Sequence, residues 1–228
     1  MTALQTRACL AALLGTLFTS SLVGQEIWRF DRTDSVGGHP TKVLGSPKIV
    51  AAELGKAVAF NGVDDALLVN VHPLAGATTW TWEMVFKPDA DGSPEQRIFH
   101  LQSVDPTTGQ DIPDDRMLFE LRIRGDKWCL DSFASSGDHR LALLNCEKLY
   151  PFGRWYRVTA VYDGKMLHNY VDDELQGEGE LQIPPARPGR ASVGTRINLR
   201  DYYKGAIYEA RFTRRALGVK DFLRLPKP

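Results

Sequence analysis

Three pairs of polar residues recur at a spacing of two along strand-like runs: His100 with Gln102, Glu120 with Arg122, and His168 with Tyr170. In a strand, residues i and i+2 project to one face, so each pair sets two hydrogen-bonding groups side by side. Planar polar groups edged by aromatics suit a sugar-binding face. An excess of arginine (Arg122, Arg124, Arg157, Arg196, Arg200) favours acidic sugars, because guanidinium grips a carboxylate at two points. The same residues offer the groups for β-elimination, with Arg122 to neutralise a uronate carboxylate and His100, His168 or Tyr170 to take the α-proton. Acid-pair hydrolysis needs two carboxyls about 5–5.5 Å apart. Glu120 stands among Arg122 and Arg124, and Asp172-Asp173-Glu174 reads as a turn, which argues against it. A separate doublet, Asp64-Asp65, follows the turn signal Asn61-Gly62. It is open to three readings: a cation site, a ligand contact, or carboxylates that cap backbone amides or face water.

The elements that must position these groups read as strands. Trp80, Trp82, Met84 and Phe86 share one face of a run. Met117, Phe119, Leu121 and Ile123 share a face of another, with Glu120, Arg122 and Arg124 opposite. Further strands are predicted at Glu26–Asp31, Ala57–Phe60, Ala66–Val71, Arg97–Gln102, Lys127–Ser135, Arg140–Cys146, Trp155–Tyr162, Met166–Val171, Ala191–Gly194 and Gly205–Phe212. The one helical turn expected lies near Val219–Leu223. Many short strands separated by turn signals predict an all-β fold, an antiparallel β-sandwich of jelly-roll type. Ser103–Asp115 is the longest irregular stretch, and loops of that length are usually functional or mobile. Trp82 and Trp155 read as core from their apolar same-face neighbours, whereas Trp128, beside a turn, is the tryptophan expected at the surface and in a binding face.

The formal net charge is zero, which gives no reason to expect nucleic acid as a partner. Met1–Gly24 carries one basic residue, Arg7, then the apolar run Ala8–Phe18 and a tail of small residues. This is the pattern of a signal peptide cleaved near Gly24, with Ser21 as the alternative. The run is shorter than the roughly 20 residues a membrane span takes. The expected organisation is therefore a leader over residues 1–24 and one domain over 25–228, secreted or periplasmic, with no membrane span once the leader is removed. Cleavage would remove Cys9 and leave Cys129 and Cys146. A hairpin folded about Gly137-Asp138 sets residue i against residue 275 − i, so Cys129 faces Cys146. Export supplies the oxidant for a disulfide; a reduced, buried pair is the alternative.

Four stretches resemble the laminin-G-like branch of the concanavalin A-like lectin/glucanase superfamily, in the family's order. They are Gly55–Asp65, Trp80–Pro88, Trp155–Gly164 followed by Tyr170-Val171-Asp172, and Lys204–Leu217. Together they span nearly all of the chain after the leader. The chain departs from the family pattern at Asp172-Asp173, where Asp-Gly is usual, and at Ile207-Tyr208-Glu209-Ala210, where Ile-Asp-Glu-Val is usual. The resemblance implies a structural calcium held by Asp64 or Asp65 with an acid from elsewhere, Asp31 and Glu209 being candidates. The acidic triplets of the glucanase relatives, Glu-x-Asp-x-Glu or Glu-x-Asp-x-x-Glu, do not occur on a strand here. Gln96–His100, Phe119–Arg122 and Tyr202–Tyr208 faintly resemble alginate-lyase signatures in a different order.

The expected function is thus a non-catalytic recognition domain binding an extracellular polysaccharide or cell-surface glycan. The expected surface is the concave sheet face, built from His100, Gln102, Glu120, Arg122, Trp128, His168 and Tyr170. An enzyme acting on polysaccharide, lyase before hydrolase, is the alternative, and an adhesion module with protein partners is the third.

Overall fold

The computed structural model describes residues 24–53 and 55–225. The predicted leader, save Gly24 itself, lies outside the described residues. In chain order the strands are β1 (Gln25–Arg29), β2 (Ser35–Val36), β3 (His39–Leu44), β4 (Lys48–Ala52), β5 (Gly55–Asn61) and β6 (Ala66–Val69). Next come β7 (Trp80–Pro88), β8 (Glu95–Val104), β9 (Asp111–Arg124), β10 (Lys127–Ser136), β11 (His139–Leu144) and β12 (Tyr150–Pro151). The last are β13 (Tyr156–Tyr162), β14 (Met166–Val171), β15 (Glu174–Glu180), β16 (Gly189–Val193) and β17 (Lys204–Thr213), followed by a 3₁₀ turn at Val219–Asp221.

Two antiparallel sheets stack as a sandwich. The first runs β15-β14-β13-β7-β17-β5-β4, with β1 also paired to β17. The second runs β11-β10-β9-β8-β16-β6-β3-β2, with β12 also paired to β10. Strict alternation decides the layering. Trp82, Met84 and Phe86 from β7 and Phe119 and Leu121 from β9 are fully buried between the sheets. The Trp82 ring lies 4.2 Å from Phe119 and 5.2 Å from Phe99, centroid to centroid, so one indole bridges both layers. Burying each such side chain contributes about 1.5–3 kcal/mol.

The β10–β11 register runs from Asp131↔Leu144 to Ser136↔His139, which is the predicted pairing about Gly137-Asp138. Cys129 and Cys146 are joined by a disulfide, with Cα atoms 5.2 Å apart. At this end the sheets are also stitched by Asn169 Nδ2, which donates to Ser132 Oγ at 3.0 Å and to the Leu143 carbonyl at 3.2 Å.

Several expectations need correction. Trp128 is fully buried, its ring 4.9 Å from Tyr156, 5.2 Å from Tyr150 and 5.3 Å from Phe86. It sits on the inner face of β10 opposite Ile123, so it is core and does not belong to any binding face. Trp155 goes the other way: it precedes β13, is half-buried, and packs edge-on to Tyr208 on the outside of the first sheet. Ser103–Asp115 is mostly strand. β8 and β9 continue to Val104 and from Asp111, and a short turn closes on Asp105 Oδ1, which accepts from Thr107 N and Thr108 N at 2.8 and 3.0 Å.

Candidate functional site: an arginine-lined groove on the second sheet

Four strands and one loop build a concavity on the outer face of the second sheet. On β9, Arg116, Leu118, Glu120 and Arg122 point outward, opposite the core residues Met117, Phe119 and Leu121. The β9–β10 register sets Asp131 directly across from Glu120, and Phe133 across from Leu118. On β8, Arg97 faces Glu120 and His100 faces Leu118. Strict alternation would put Arg97 on the same side as Phe99, in the core. A β-bulge between Arg97 and Phe99 breaks the alternation there, so Ile98 and Phe99 both point inward and Arg97 stays outward with His100. Ala142 of β11 and Arg196 of the loop after β16 complete the lining of a cavity of about 220 Å³.

The groove is an ion-pair network around two cross-strand carboxylates. Arg97 Nε lies 2.7 Å from Glu120 Oε1. Arg122 donates to Asp131 Oδ2 through Nε at 2.9 Å and Nη2 at 2.7 Å, and its Nη2 lies 3.5 Å from Glu120 Oε2. Glu95 at the rim pairs with Arg122 and Arg97, and Asp201 lies 3.6 Å from Arg97. Burial, and then the Asp131 carboxylate beside it, push the Glu120 carboxyl up to about 7, with Arg97 and Arg122 opposing the rise. Arg116 lies over the Phe133 ring at 4.9 Å.

Arg196 differs from the other arginines of the lining. Among the described residues no carboxylate lies within 4 Å of its guanidinium. Burial and the neighbouring cations Arg116, Arg200 and Arg97 hold its pKa down. Its loop is nevertheless tightly held. Arg97 N donates to the Asp201 carbonyl at 2.8 Å, Thr195 Oγ1 to the Arg200 carbonyl at 3.0 Å, and Ser192 Oγ to the Thr195 carbonyl at 2.7 Å. Ile197 N donates to His100 Nδ1 at 3.0 Å. Leu199 and Asp201 both sit at φ 57°, a conformation that costs a non-glycine residue of order 1–3 kcal/mol and is kept only where surroundings enforce it.

The sequence-predicted residues divide between two surfaces. Glu120 and Arg122 lie in the groove. His100 lies beneath its edge, fully buried, and its pKa is lowered to about 3 by burial and then by Arg196 and Arg116. With Nδ1 accepting from Ile197, the neutral ring carries its proton on Nε2, which has no partner among the described residues. His100 therefore docks the Arg196 loop and is not exposed to take a substrate proton. Gln102 is also buried, and its Nε2 donates to the carbonyls of Ile112 and Asp115 at 2.6 and 2.9 Å, clamping the base of the β8–β9 hairpin. His168 and Tyr170 are on the outer face of β14, in the other sheet, where His168 Nδ1 contacts Glu178 Oε2 at 2.9 Å and Tyr170 packs on Phe222 at 5.2 Å. The predicted shared groove and the lyase set His100, Arg122, His168 and Tyr170 are thus split across the sandwich. Arg157, too, is on the first sheet, tied to the Leu223 and Asp172 carbonyls and to Asp173.

Asp65 is buried and serves the chain itself. Its Oδ1 accepts from Ser46 N at 2.6 Å and its Oδ2 from Asn61 N at 3.0 Å. Asp64 Oδ1 accepts from Asn61 Nδ2 at 2.7 Å, and Asn61 Oδ1 accepts from the amides of residues 63, 64 and 65. This is the amide-capping reading of the doublet. Glu209 pairs with Arg29 at 3.4 Å. Among the described residues no three His, Cys, Asp or Glu side chains gather as a metal site, so Asp31, Asp64, Asp65 and Glu209 do not converge.

Arg97, Arg116 and Asp131 are the groove residues that sequence reasoning missed. Extending the β9 alternation back one residue pair would have found Arg116, and the hairpin register would have found Asp131. Arg97 is hidden by the bulge.

Residues 61–221 match a laminin-G-like family described as the concanavalin A-like lectin/glucanases superfamily. No curated protein matches the sequence at a significant level. Among solved structures, the chain is similar to domain 4 of AbnA, an extracellular arabinanase from Geobacillus stearothermophilus, in complex with arabinotriose. The TM-score is 0.63 at 17% identity, over 86% of this chain and 94% of that one. It is also similar to the ligand-binding domain of botulinum neurotoxin serotype D in complex with N-acetylneuraminic acid. There the TM-score is 0.58 at 12% identity, over 86% of this chain and 48% of that one, so it spans about half of the toxin domain. The SAP-like pentraxin of Limulus polyphemus matches with a TM-score of 0.50 at 11% identity, over 86% of this chain and 78% of that one.

Proposed function

The chain belongs to the concanavalin A-like lectin/glucanases superfamily, in its laminin-G-like branch, and we propose that it is an exported, non-catalytic recognition domain for an acidic extracellular glycan. The ligand would lie in the groove on the second sheet. The observation that carries this reading is Arg196: Arg97 and Arg122 are paired with Glu120, Asp131, Glu95 and Asp201, and Arg116 with Asp114, but among the described residues Arg196 faces the groove with no carboxylate within 4 Å. A uronate or sulfate between Arg116 and Arg196 would supply the missing anion. Leu118, Phe133 and Ala142 would meet the C–H face of the ring. The similarity in fold to domains solved with arabinotriose and with N-acetylneuraminic acid supports carbohydrate as the ligand class.

Calorimetric titration with oligomers of hyaluronan and polygalacturonate tests the reading. Binding that falls at least tenfold in Arg196→Ala and in Arg116→Ala, with unchanged circular dichroism, is the expected result. No binding of any uronate or sulfated oligomer would sink it.

A second reading, an enzyme, draws on one observation. Glu120, whose pKa burial raises to about 7, stands directly across from Asp131 in the same groove, and a carboxyl that holds its proton near neutrality can serve as a general acid. Reducing-sugar release from the same polymers, abolished in Glu120→Gln, would support it over recognition alone. Absorbance near 235 nm would report elimination instead.

A further inference from the structure

The outer face of the first sheet carries a second concavity with different chemistry. Lys48, Ala59, Ala206 and Lys87 form one cross-strand row over β4, β5, β17 and β7. All four point away from the core, because their neighbours Val58, Phe60, Ile207 and Phe86 fill it. The two middle members are alanines. The floor is therefore low. Trp155 rises next to Lys87, since the following residue, Tyr156, pairs with Phe86. Its ring is held edge-on by Tyr208, centroids 6.3 Å apart at 72°. With residues 50–53 opposite, these groups enclose about 430 Å³, within the range of about 300–1,000 Å³ of small-molecule sites. Three charged residues, Glu53, Lys87 and Asp89, line it, and among the described residues none has an ion-pair partner within 4 Å.

A preset aromatic wall, an alanine floor, two carboxylates and one cation suit a ligand that is flat and apolar on one side, carries hydroxyl donors at its edge, and bears no negative charge. We infer that this trough is a second carbohydrate site, for a neutral pyranose ring: the C–H face stacks on Trp155, ring hydroxyls donate to the Asp89 carboxylate, and Lys87 donates to a hydroxyl or ring oxygen. Preset walls reduce the ordering cost of binding. The two sites lie on opposite sheets, so this inference does not depend on the arginine groove.

Tryptophan fluorescence and saturation-transfer NMR with cellotriose, maltotriose and mannotriose test it on the intact chain. At least one trisaccharide is expected to bind at millimolar concentration. Trp155→Ala and Ala206→Phe, which removes the wall and fills the floor respectively, should each weaken binding tenfold or more. Asp89→Asn should weaken it several-fold and Arg196→Ala should leave it unchanged. Ala206 faces outward, so its variant decides the matter if Trp155→Ala fails to fold. Binding that survives Ala206→Phe, or that vanishes in Arg196→Ala, or the absence of binding by all three probes, would overturn the inference. Loss of uronate binding in Arg196→Ala with trisaccharide binding retained separates the failure of one site from the failure of the other.

Discussion

The two sheets both bury charged groups on their outer faces, yet they do so for different ends. On the first sheet Glu83 is wholly inaccessible, and the chain closes every contact around it. Arg211 lies 2.5 Å away, Leu223 N donates to it at 2.6 Å, and Arg211 Nη2 donates to the Asp221 carbonyl at 2.8 Å. Leu217 and Phe222 then seal the patch against Val161 and Tyr170. The pair fastens the segment after β17 across the sheet. On the second sheet Glu120, Asp131 and Arg97 are nearly as buried, but with the partly buried Arg122 they line an open groove and leave Arg196 without a counter-ion among the described residues. Burial of charge does not mark a binding surface. The recognition proposed here rests instead on Arg196, left facing solvent with no carboxylate within 4 Å among the described residues.

The contrast can be broken most forcefully at Glu83. Glu83→Ala leaves Arg211 uncompensated and frees the Leu223 amide, so urea denaturation should show a loss of about 3–5 kcal/mol, while binding of uronate oligomers per folded molecule stays the same. Next in size is the disulfide. The Cys129–Cys146 bridge spans a sequence separation of 17, and Cys146→Ser should cost about 3 kcal/mol in the same assay. It should also loosen β10, which carries Asp131, and weaken uronate binding modestly. Arg196→Ala sharpens the comparison from the other side: its stability should change by no more than about 0.5 kcal/mol because no partner is lost, although uronate affinity falls. Equal losses of stability at Glu83 and Arg196 would erase the distinction.

The smallest effect is a pH dependence. As pH rises through about 7, Glu120 gives up its proton and the groove gains a negative charge, so uronate affinity should fall a few-fold between pH 6 and pH 8. Glu120→Gln should flatten that profile. The linked stability has the same sign. The folded-state pKa of Glu120 is raised, so its contribution is full below the ordinary value of 4.5 and is lost as pH climbs through about 7. His72 and His100 act oppositely. Their pKa values are lowered to about 4 and about 3, so their contribution is full above 6.5 and is lost as pH falls. Thermal melts of wild type and Glu120→Gln from pH 5 to 8 should therefore converge in acid and separate in base, with the variant the more stable.

The sandwich was legible because its central strands alternate cleanly, as Trp80–Phe86 and Met117–Ile123 do, and because the Gly137-Asp138 turn fixed the cysteine pairing by counting alone. Three strands at or near sheet edges were not legible, although the terminal strand β11 was. β3, β4 and β15 lie at or next to sheet edges, and Glu174–Glu180, with two glycines and three glutamates, has too few apolar residues to show a period of two. The site was half legible. Glu120 and Arg122 followed from the face of β9. His168 and Tyr170 share the same local pattern, but which sheet a strand joins is settled by long-range pairing that spacing within one strand does not report. Trp128 and Trp155 exchanged roles for a related reason: each stands beside a turn, where a shift of one residue decides between core and solvent.

The bulge at Ile98 acts as a phase shifter. A polypeptide in an extended ribbon otherwise has no freedom over which side a given position shows, and one additional residue reverses the assignment for everything upstream of it. Excising Ile98 would drive the Arg97 guanidinium between the layers and swing Gln96, now bonded to the Ser93 carbonyl and the Lys204 amide, out toward water. Electropositive surface and apolar interior are thus coupled through a single codon. Insertions and deletions at that point would be expected to abolish folding and recognition together, whereas point substitutions elsewhere along the groove can alter its specificity and leave the architecture intact.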